Sequence, residues 1–158
     1  MRELILLRHA HAEPAPSGQA DFDRPLSPIG VSEAESAGRW IVEHRLVPDR
    51  VVYSPARRTR ETLEAVVGVI GSVEQRLEES IYEATAGTLI ALADAHRDVD
   101  RLLLLGHNPG LERLAALLHS GSSSEYRGMP PGSIAVLQFS DDGPVEPGVA
   151  SLSAFWWP

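Results

Sequence analysis

Residues Glu3 to Leu7, ELILL, form a short, nearly continuous apolar run of the kind a strand buried on both faces requires. Residues 12–27 are rich in Pro, Gly and Asp and predict a long loop. Ser27-Pro28 then gives a helix start, with Ser at the N-cap and Pro at the first helical position. Val31, Ala34, Ala37, Gly38, Ile41 and Val42 recur at helical spacing, so the helix is expected to reach about Arg45. After Pro48, Arg50 to Tyr53 read as a second strand, broken by Ser54-Pro55. A helix follows with Leu63, Val66, Val67 and Ile70 on one face, and Val73 to Leu77 read as a short extended piece. Leu89, Ile90, Leu92 and Ala93 mark a third helix. RLLLLG, Arg101 to Gly106, is the clearest buried strand in the chain. Asn108-Pro109 opens a fourth helix with Leu111, Leu114, Leu117 and Leu118 inward. A loop spans about 120–132, and two alternating strands, Ile134 to Phe139 and about Ala150 to Trp156, close the chain.

This order, β-α-β-α-α-β-α-β-β, predicts a three-layer α/β sandwich. The central sheet should be mostly parallel with helices on both faces, and the last strands should add antiparallel pairing at one edge. The chain has 158 residues, which suits a single domain over 1–158. It is too short for a (β/α)₈ barrel, which takes roughly 200 residues at the least.

Composition narrows the chemistry. There are no cysteines, which excludes disulfides, thiol catalysis and Cys-containing zinc sites. All 14 basic residues are arginine, so no Schiff-base lysine and no lysine-bearing P-loop exists. A net charge of −8 speaks against general binding to nucleic acid or anionic membranes. No apolar run approaches the roughly 18 residues of a membrane helix, and the first one is too short for a signal peptide. A cytoplasmic monomer is expected. Any anion site must be a local cluster of arginines.

In parallel sheets, ligands bind beyond the carboxyl ends of the strands. Arg8 and His9 follow the first strand, Ser54, Arg57 and Arg58 the second, and His107 and Asn108 the Leu-rich one. Three buried strands thus deliver Arg or His to one edge. Guanidinium forks and helix N-terminal N–H groups both suit a phosphate or carboxylate. Taken singly, each group also has an ordinary structural role as a strand-end, turn or helix-surface residue. Arg57 and Arg60 read as surface arginines, His11, His44, His96 and His119 as structural or surface residues, and Ser54 as a turn residue.

These residues carry a resemblance. LILLRHAHA resembles the Arg-His motif that opens the histidine phosphatase superfamily. YSPARRTRETLE resembles its Ser-Pro-Leu-x-Arg-Ala-x-x-Thr segment, matching at Ser54, Pro55, Arg58 and Thr62 and departing at Ala56 and Thr59. LLLLGHNPGLERLA resembles its second-histidine segment. DFDRPLSPIG, MPPGSIAVLQF and the closing FWWP resemble the small SixA-type phosphohistidine phosphatases. The resemblance implies that His9 is a nucleophile that becomes phosphorylated. It implies that Arg8, Arg58 and His107 surround the phosphoryl group, with Asn108 as a further phosphate-binding residue and with no metal or other cofactor. Phosphoryl transfer is mostly positioning and charge neutralisation, which two guanidiniums supply. An attacking imidazole needs one bare nitrogen, so its other nitrogen should donate to a carbonyl or similar acceptor.

Larger relatives use a carboxylic acid to protonate an alcohol leaving group. Glu79 and Glu83, in LEESIYEATAG, are the candidates here, and neither lies in a clear motif. An imidazole, with a pKa of about 6.5, departs with little help, so a site without a dedicated acid favours phosphohistidine over a phosphomonoester. The partner implied by the SixA-type branch is a histidine-containing phosphotransfer domain. A small phosphate ester as substrate, a non-catalytic phosphate-binding module, and a metal-dependent hydrolase built on His9, His11, Asp21, Asp23 and His107 are the alternatives. The loops at 12–27 and 120–132 are the segments expected to rim the site.

Overall fold

The computed structural model describes residues 1–123 and 128–158; the loop expected at 120–132 therefore lies partly outside the described residues. Six strands form one sheet: β1 (Glu3–Arg8), β2 (Arg50–Tyr53), β3 (Glu74–Leu77), β4 (Arg101–Gly106), β5 (Ile134–Phe139) and β6 (Ala150–Trp156). Four helices accompany them: α1 (Pro28–Glu43), α2 (Arg57–Ile70), α3 (Ala86–Ala95) and α4 (Gly110–Ser120). Two short 3₁₀ helices, Asp21–Asp23 and Glu79–Ile81, complete the described elements.

The strand order is β3-β2-β4-β1-β5-β6. The first four are mutually parallel, and β5 and β6 extend the sheet antiparallel from β1. This is the mixed, mostly parallel α/β sandwich that the pattern predicts. Its central strands alternate between two buried layers, as a period of two requires. Leu4, Leu6, Leu102 and Leu104 pack with Leu89, Ala93, Leu111, Leu114 and Leu118 of α3 and α4. Ile5, Leu7, Leu103 and Leu105 pack with Ala34, Ala37, Ile41, Leu63 and Val66 of α1 and α2.

Ser27 caps α1 by accepting from Gly30 N at 3.0 Å, and Pro28 takes the first helical position. The inward stripe of α1 differs from the expectation at two places. Val31 and Val42 are exposed, and Gly30 is buried in their stead. Gly30 is where the helix meets the returning loop: a Cβ there would lie 2.0 Å from His11 O. Helix α4 starts at Gly110, one residue later than an N-cap at Asn108 implies. No helix among the described residues is long and apolar enough to cross a membrane.

Two glycines in adjacent helices should respond oppositely to the same substitution. Gly30→Ala forces α1 off the His11 backbone and is expected to lower the melting temperature. Gly68→Ala, in α2, meets nothing within 4 Å and should raise stability by about 1 kcal/mol through helix propensity alone. Thermal unfolding of the two variants checks this. Equal effects would mean the α1–loop contact is slack.

Candidate active site

β1, β2 and β4 run parallel, so their carboxyl ends lie at one edge of the sheet. His9 follows β1 and is tied to the end of β4 by its N–H, which donates to Gly106 O at 3.0 Å. His107 leaves that same end of β4. The two rings stand 5.3 Å apart between centroids. Arg8 ends β1 and Arg58 is the second residue of α2. Both histidines and Arg58 are buried polar residues, less than a tenth exposed.

The orientation of each ring follows from its partners. His9 Nδ1 lies 2.8 Å from Ala10 O. A carbonyl only accepts, so Nδ1 carries the proton and Nε2 keeps its lone pair. His107 Nε2 lies 2.7 Å from Ser54 Oγ. That oxygen already accepts from Ala56 N at 3.3 Å, and the arrangement that uses its hydroxyl proton donates it to Nε2. With Ser54 donating to Nε2, the His107 proton resides on Nδ1. Burial holds His9 down at about 3 and His107 at about 4, with the neighbouring arginines adding to the effect. Both imidazoles are neutral at ordinary pH.

Three buried nitrogens at this edge have no hydrogen-bond partner among the described residues: Arg8 Nε, Arg58 Nε and His107 Nδ1. A buried donor left unpaired costs about 1–3 kcal/mol, more when charged, so their gathering at one place marks a site built to receive acceptors. Each guanidinium is held at its far end. Arg8 Nη1 donates to Met129 O at 2.7 Å, and Arg58 Nη1 and Nη2 donate to Asp21 O and Oδ2 at 3.0 and 3.2 Å.

Asn108 is placed otherwise than expected. Its amide donates to Glu112 Oε2 at 3.0 Å and to Met129 O at 2.9 Å, and its Oδ1 accepts from Glu112 N. With both side-chain donors spent, it fastens the Met129 loop to α4 and has none left for a phosphate. Ser54 is more than a turn residue, since it orients His107. Thr62 was visible only as a motif match. Its hydroxyl accepts from Ala10 N at 3.1 Å and donates to Arg58 O at 2.7 Å, joining the His9 segment to α2. Gly132 donates its N–H to both Arg8 O and His9 O, and it can do so because its φ of +76° suits glycine.

The loop at 12–27 does reach the site, through Asp21. A second rim segment was not expected: Tyr82, after the second 3₁₀ helix, stands edge-on to His107 with 5.5 Å between ring centroids. Residues 124–127 of the other loop lie outside the described residues. Glu83 lines a cavity of about 620 Å³ that opens beside His107, whereas Glu79 does not line it. Among the described residues, no three His, Asp or Glu side chains gather as metal ligands. Asp21 is bound to Arg58, and His11 Nδ1 lies 2.7 Å from Ser27 Oγ. The remaining histidines are engaged elsewhere: His44 with Trp40 O, His96 with Arg50, and His119 with Leu152 N. Arg57 pairs with Glu61 and Arg60 donates to Pro55 O, both at the surface.

The model of the histidine phosphatase superfamily (branch 1) matches residues 4–100. The Mycobacterium tuberculosis protein Rv1276c is 38% identical over 161 residues, spanning 96% of this chain and 99% of its own length. A crystal structure from Agrobacterium tumefaciens, assigned as the phosphohistidine phosphatase SixA, superposes with a TM-score of 0.85 at 30% identity, covering 99% of this chain and 98% of that one. A second assigned SixA, from Nakamurella multipartitia, gives 0.84 at 32% identity over 99% and 96%. The sheet edge that gathers the two arginines and two histidines is thus set in a backbone shared from end to end with SixA-type chains, and the protein belongs to the histidine phosphatase superfamily, whose activity is that of a phosphatase.

Proposed function

We propose that the protein removes phosphate from phosphohistidine on a protein substrate, through a phosphorylated His9. The observation that carries this reading is the set of three unpartnered buried donors, on Arg8, Arg58 and His107, around a histidine whose Nε2 is bare. The two guanidiniums and His107 Nδ1–H bind the phosphoryl oxygens and offset their charge as it spreads in the transition state. His9 Nε2 attacks phosphorus, the bond from phosphorus to the leaving nitrogen breaks, and the departing imidazole takes its proton from solvent. Water then attacks phospho-His9, inorganic phosphate leaves, and Nε2 regains its lone pair. Asn108 acts indirectly, by fixing the Met129 carbonyl that holds Arg8.

The leaving group follows from what the site offers as an acid. Asp21 sits at about 2, held down first by the hydrogen bond from Tyr82 and also by Arg58, so it carries no proton to give. The Tyr82 hydroxyl is committed to Asp21, and burial raises its pKa further. Glu79 and Glu83 are exposed, with no hydrogen bond to a site residue. A leaving imidazole suits this site, and an alkoxide does not. A second reading has one observation in its favour. The cavity beside His107 is within the size range of small-molecule sites, and Glu83 lines it. That arrangement favours a small phosphomonoester with Glu83 as proton donor.

Rapid quenching during turnover should trap acid-labile phosphate on His9, and His9→Ala should abolish turnover while leaving the fold intact. Label on His107 or Ser54 would overturn the nucleophile.

A substrate panel separates the two readings. Phosphohistidine protein and activated aryl phosphates are expected to turn over, alkyl phosphates hardly at all, and Glu83→Gln should leave phosphohistidine turnover unchanged. Good turnover of alkyl phosphates that collapses in Glu83→Gln would establish the phosphomonoesterase instead.

The neutral imidazoles have a pH signature. The unfolded chain binds these protons near the ordinary value of about 6.5, whereas the native chain does not until about 3 at His9 and 4 at His107. Native stability should therefore fall as pH drops below about 6.5, and ring-nitrogen NMR should find His9 and His107 still neutral at pH 5. A His9 resonance titrating near 6.5 would contradict the buried, neutral nucleophile.

A further inference from the structure

Among the described residues, the Arg58 guanidinium is gripped from one side only. Its two terminal nitrogens donate to the carbonyl and to a carboxylate oxygen of Asp21, at 3.0 and 3.2 Å. That same carboxylate oxygen accepts from the Tyr82 hydroxyl at 2.6 Å, and the other one accepts from Arg24 at 3.3 Å. The Tyr82 ring lies 5.8 Å from the guanidinium carbon and packs against Phe22 at 5.4 Å between centroids. The first 3₁₀ helix, through Asp21, and the residue that follows the second, Tyr82, 61 residues on, thus clasp each other across the end of Arg58.

A guanidinium offers five N–H donors in a rigid plane. Asp21 takes one hydrogen from each terminal nitrogen, which uses the outer end of the plane. The side edge, carrying Nε–H and the adjacent terminal hydrogen, is left over, and Nε is buried with no hydrogen-bond partner among the described residues. That edge is the fork that fits two phosphoryl oxygens. A carboxylate beside an anion site repels the anion, so Asp21 is electrostatically out of place unless it does something else. We propose that Asp21, itself anchored by Tyr82, is a positioning residue that turns the Nε edge of Arg58 toward the phosphoryl group. The inference rests on the reading of Arg58 as a phosphoryl ligand.

Charge and positioning predict opposite signs. If only charge mattered, removing the carboxylate would tighten anion binding. If Asp21 orients Arg58, removing it loosens the site. Calorimetric titration of the full chain with tungstate, a phosphoryl mimic, reads this without depending on the natural substrate. Asp21→Ala is expected to weaken tungstate about tenfold or more, the scale of a misaligned charge-assisted hydrogen bond. Asp21→Asn, which keeps the carbonyl and one acceptor oxygen, should recover most of that loss. Tyr82→Phe, which keeps the ring, should weaken binding a few-fold. Asp23→Ala, in the same 3₁₀ helix but without a bond to Arg58, should change nothing. The deciding measurement is the double variant: on an Arg58→Ala background, Asp21→Ala should have no further effect. Tightening by Asp21→Ala, no change, or an equal loss with and without Arg58 each overturns the positioning role. If Asp21→Ala does not fold, Tyr82→Phe with and without Arg58→Ala decides by the same criterion. If Arg58→Ala binds tungstate as tightly as the parent chain, the phosphate site itself is misassigned and the inference falls with it, a result distinct from all the others.

Discussion

Everything at the carboxyl edge of the sheet answers to one constraint: two permanent positive charges are held largely out of water beside each other. Arg8 and Arg58 cannot shed their protons, although burial and the mutual repulsion pull the Arg8 pKa downward. The first turns of α2 and α4 bring further positive ends of helix dipoles to the same edge. The two histidines respond in the only way open to them, by remaining neutral. Of the nearby carboxylates, Glu112 is bound by Asn108, and Asp21 pairs with Arg58 through its terminal nitrogens, so no carboxylate among the described residues meets the Nε edges of the two arginines. What relieves such a site is an anion with several oxygens, and the unpaired Nε and Nδ1 hydrogens are where it binds in the proposed reaction.

The sheet is what makes this arrangement affordable. Arg8, His9 and His107 sit at the ends of adjacent parallel strands, and the apolar residues before them are wholly buried on both faces. Their positions are therefore fixed by the same packing that stabilises the fold. Arg58 is different. It stands on a helix, reaches the site with a long side chain, and depends on Thr62, Asp21 and Tyr82 for its placement. Three of these side chains are set by the core and one by a clasp of loop residues.

That division explains which parts could be read from sequence. The buried strands were legible, because apolar runs such as RLLLLG report burial directly, whereas β3, read only as a short extended piece, is exposed along its length and carries no such run. The meeting of Arg8, His9, Arg58 and His107 at one edge was legible because parallel strands turn sequence position into a place on that edge. Asn108 misled: a polar residue at a helix start beside the site has the right place, but its donors go to Glu112 and Met129, which sequence does not couple to it. Ser54, Asp21 and Tyr82 were missed for a related reason. Each acts through a side-chain bond to a residue far away in the chain, at 53, 37 and 61 residues of separation, and no local periodicity records such bonds. Val31 and Val42 were assigned to the wrong side of α1 because the helix meets the His11 backbone at Gly30, and that close approach sets its rotation.

That Asp21 carries no proton has the same origin as the clasp. A carboxyl group becomes a proton donor at neutral pH when it is buried away from positive charge, so that its neutral form is favoured. Asp21 is a carboxyl group beside the site, yet Tyr82, Arg24 and Arg58 each donate a hydrogen bond to it and stabilise the anion. A carboxylate used to hold a guanidinium in place cannot also hold a proton. In this arrangement, fixing Arg58 and protonating an alkoxide are competing uses of one residue, and the observed hydrogen bonds select the first. With Asp21 used this way, the proposed reaction relies on a leaving group that needs no acid, which is the chemical character of a phosphorylated imidazole.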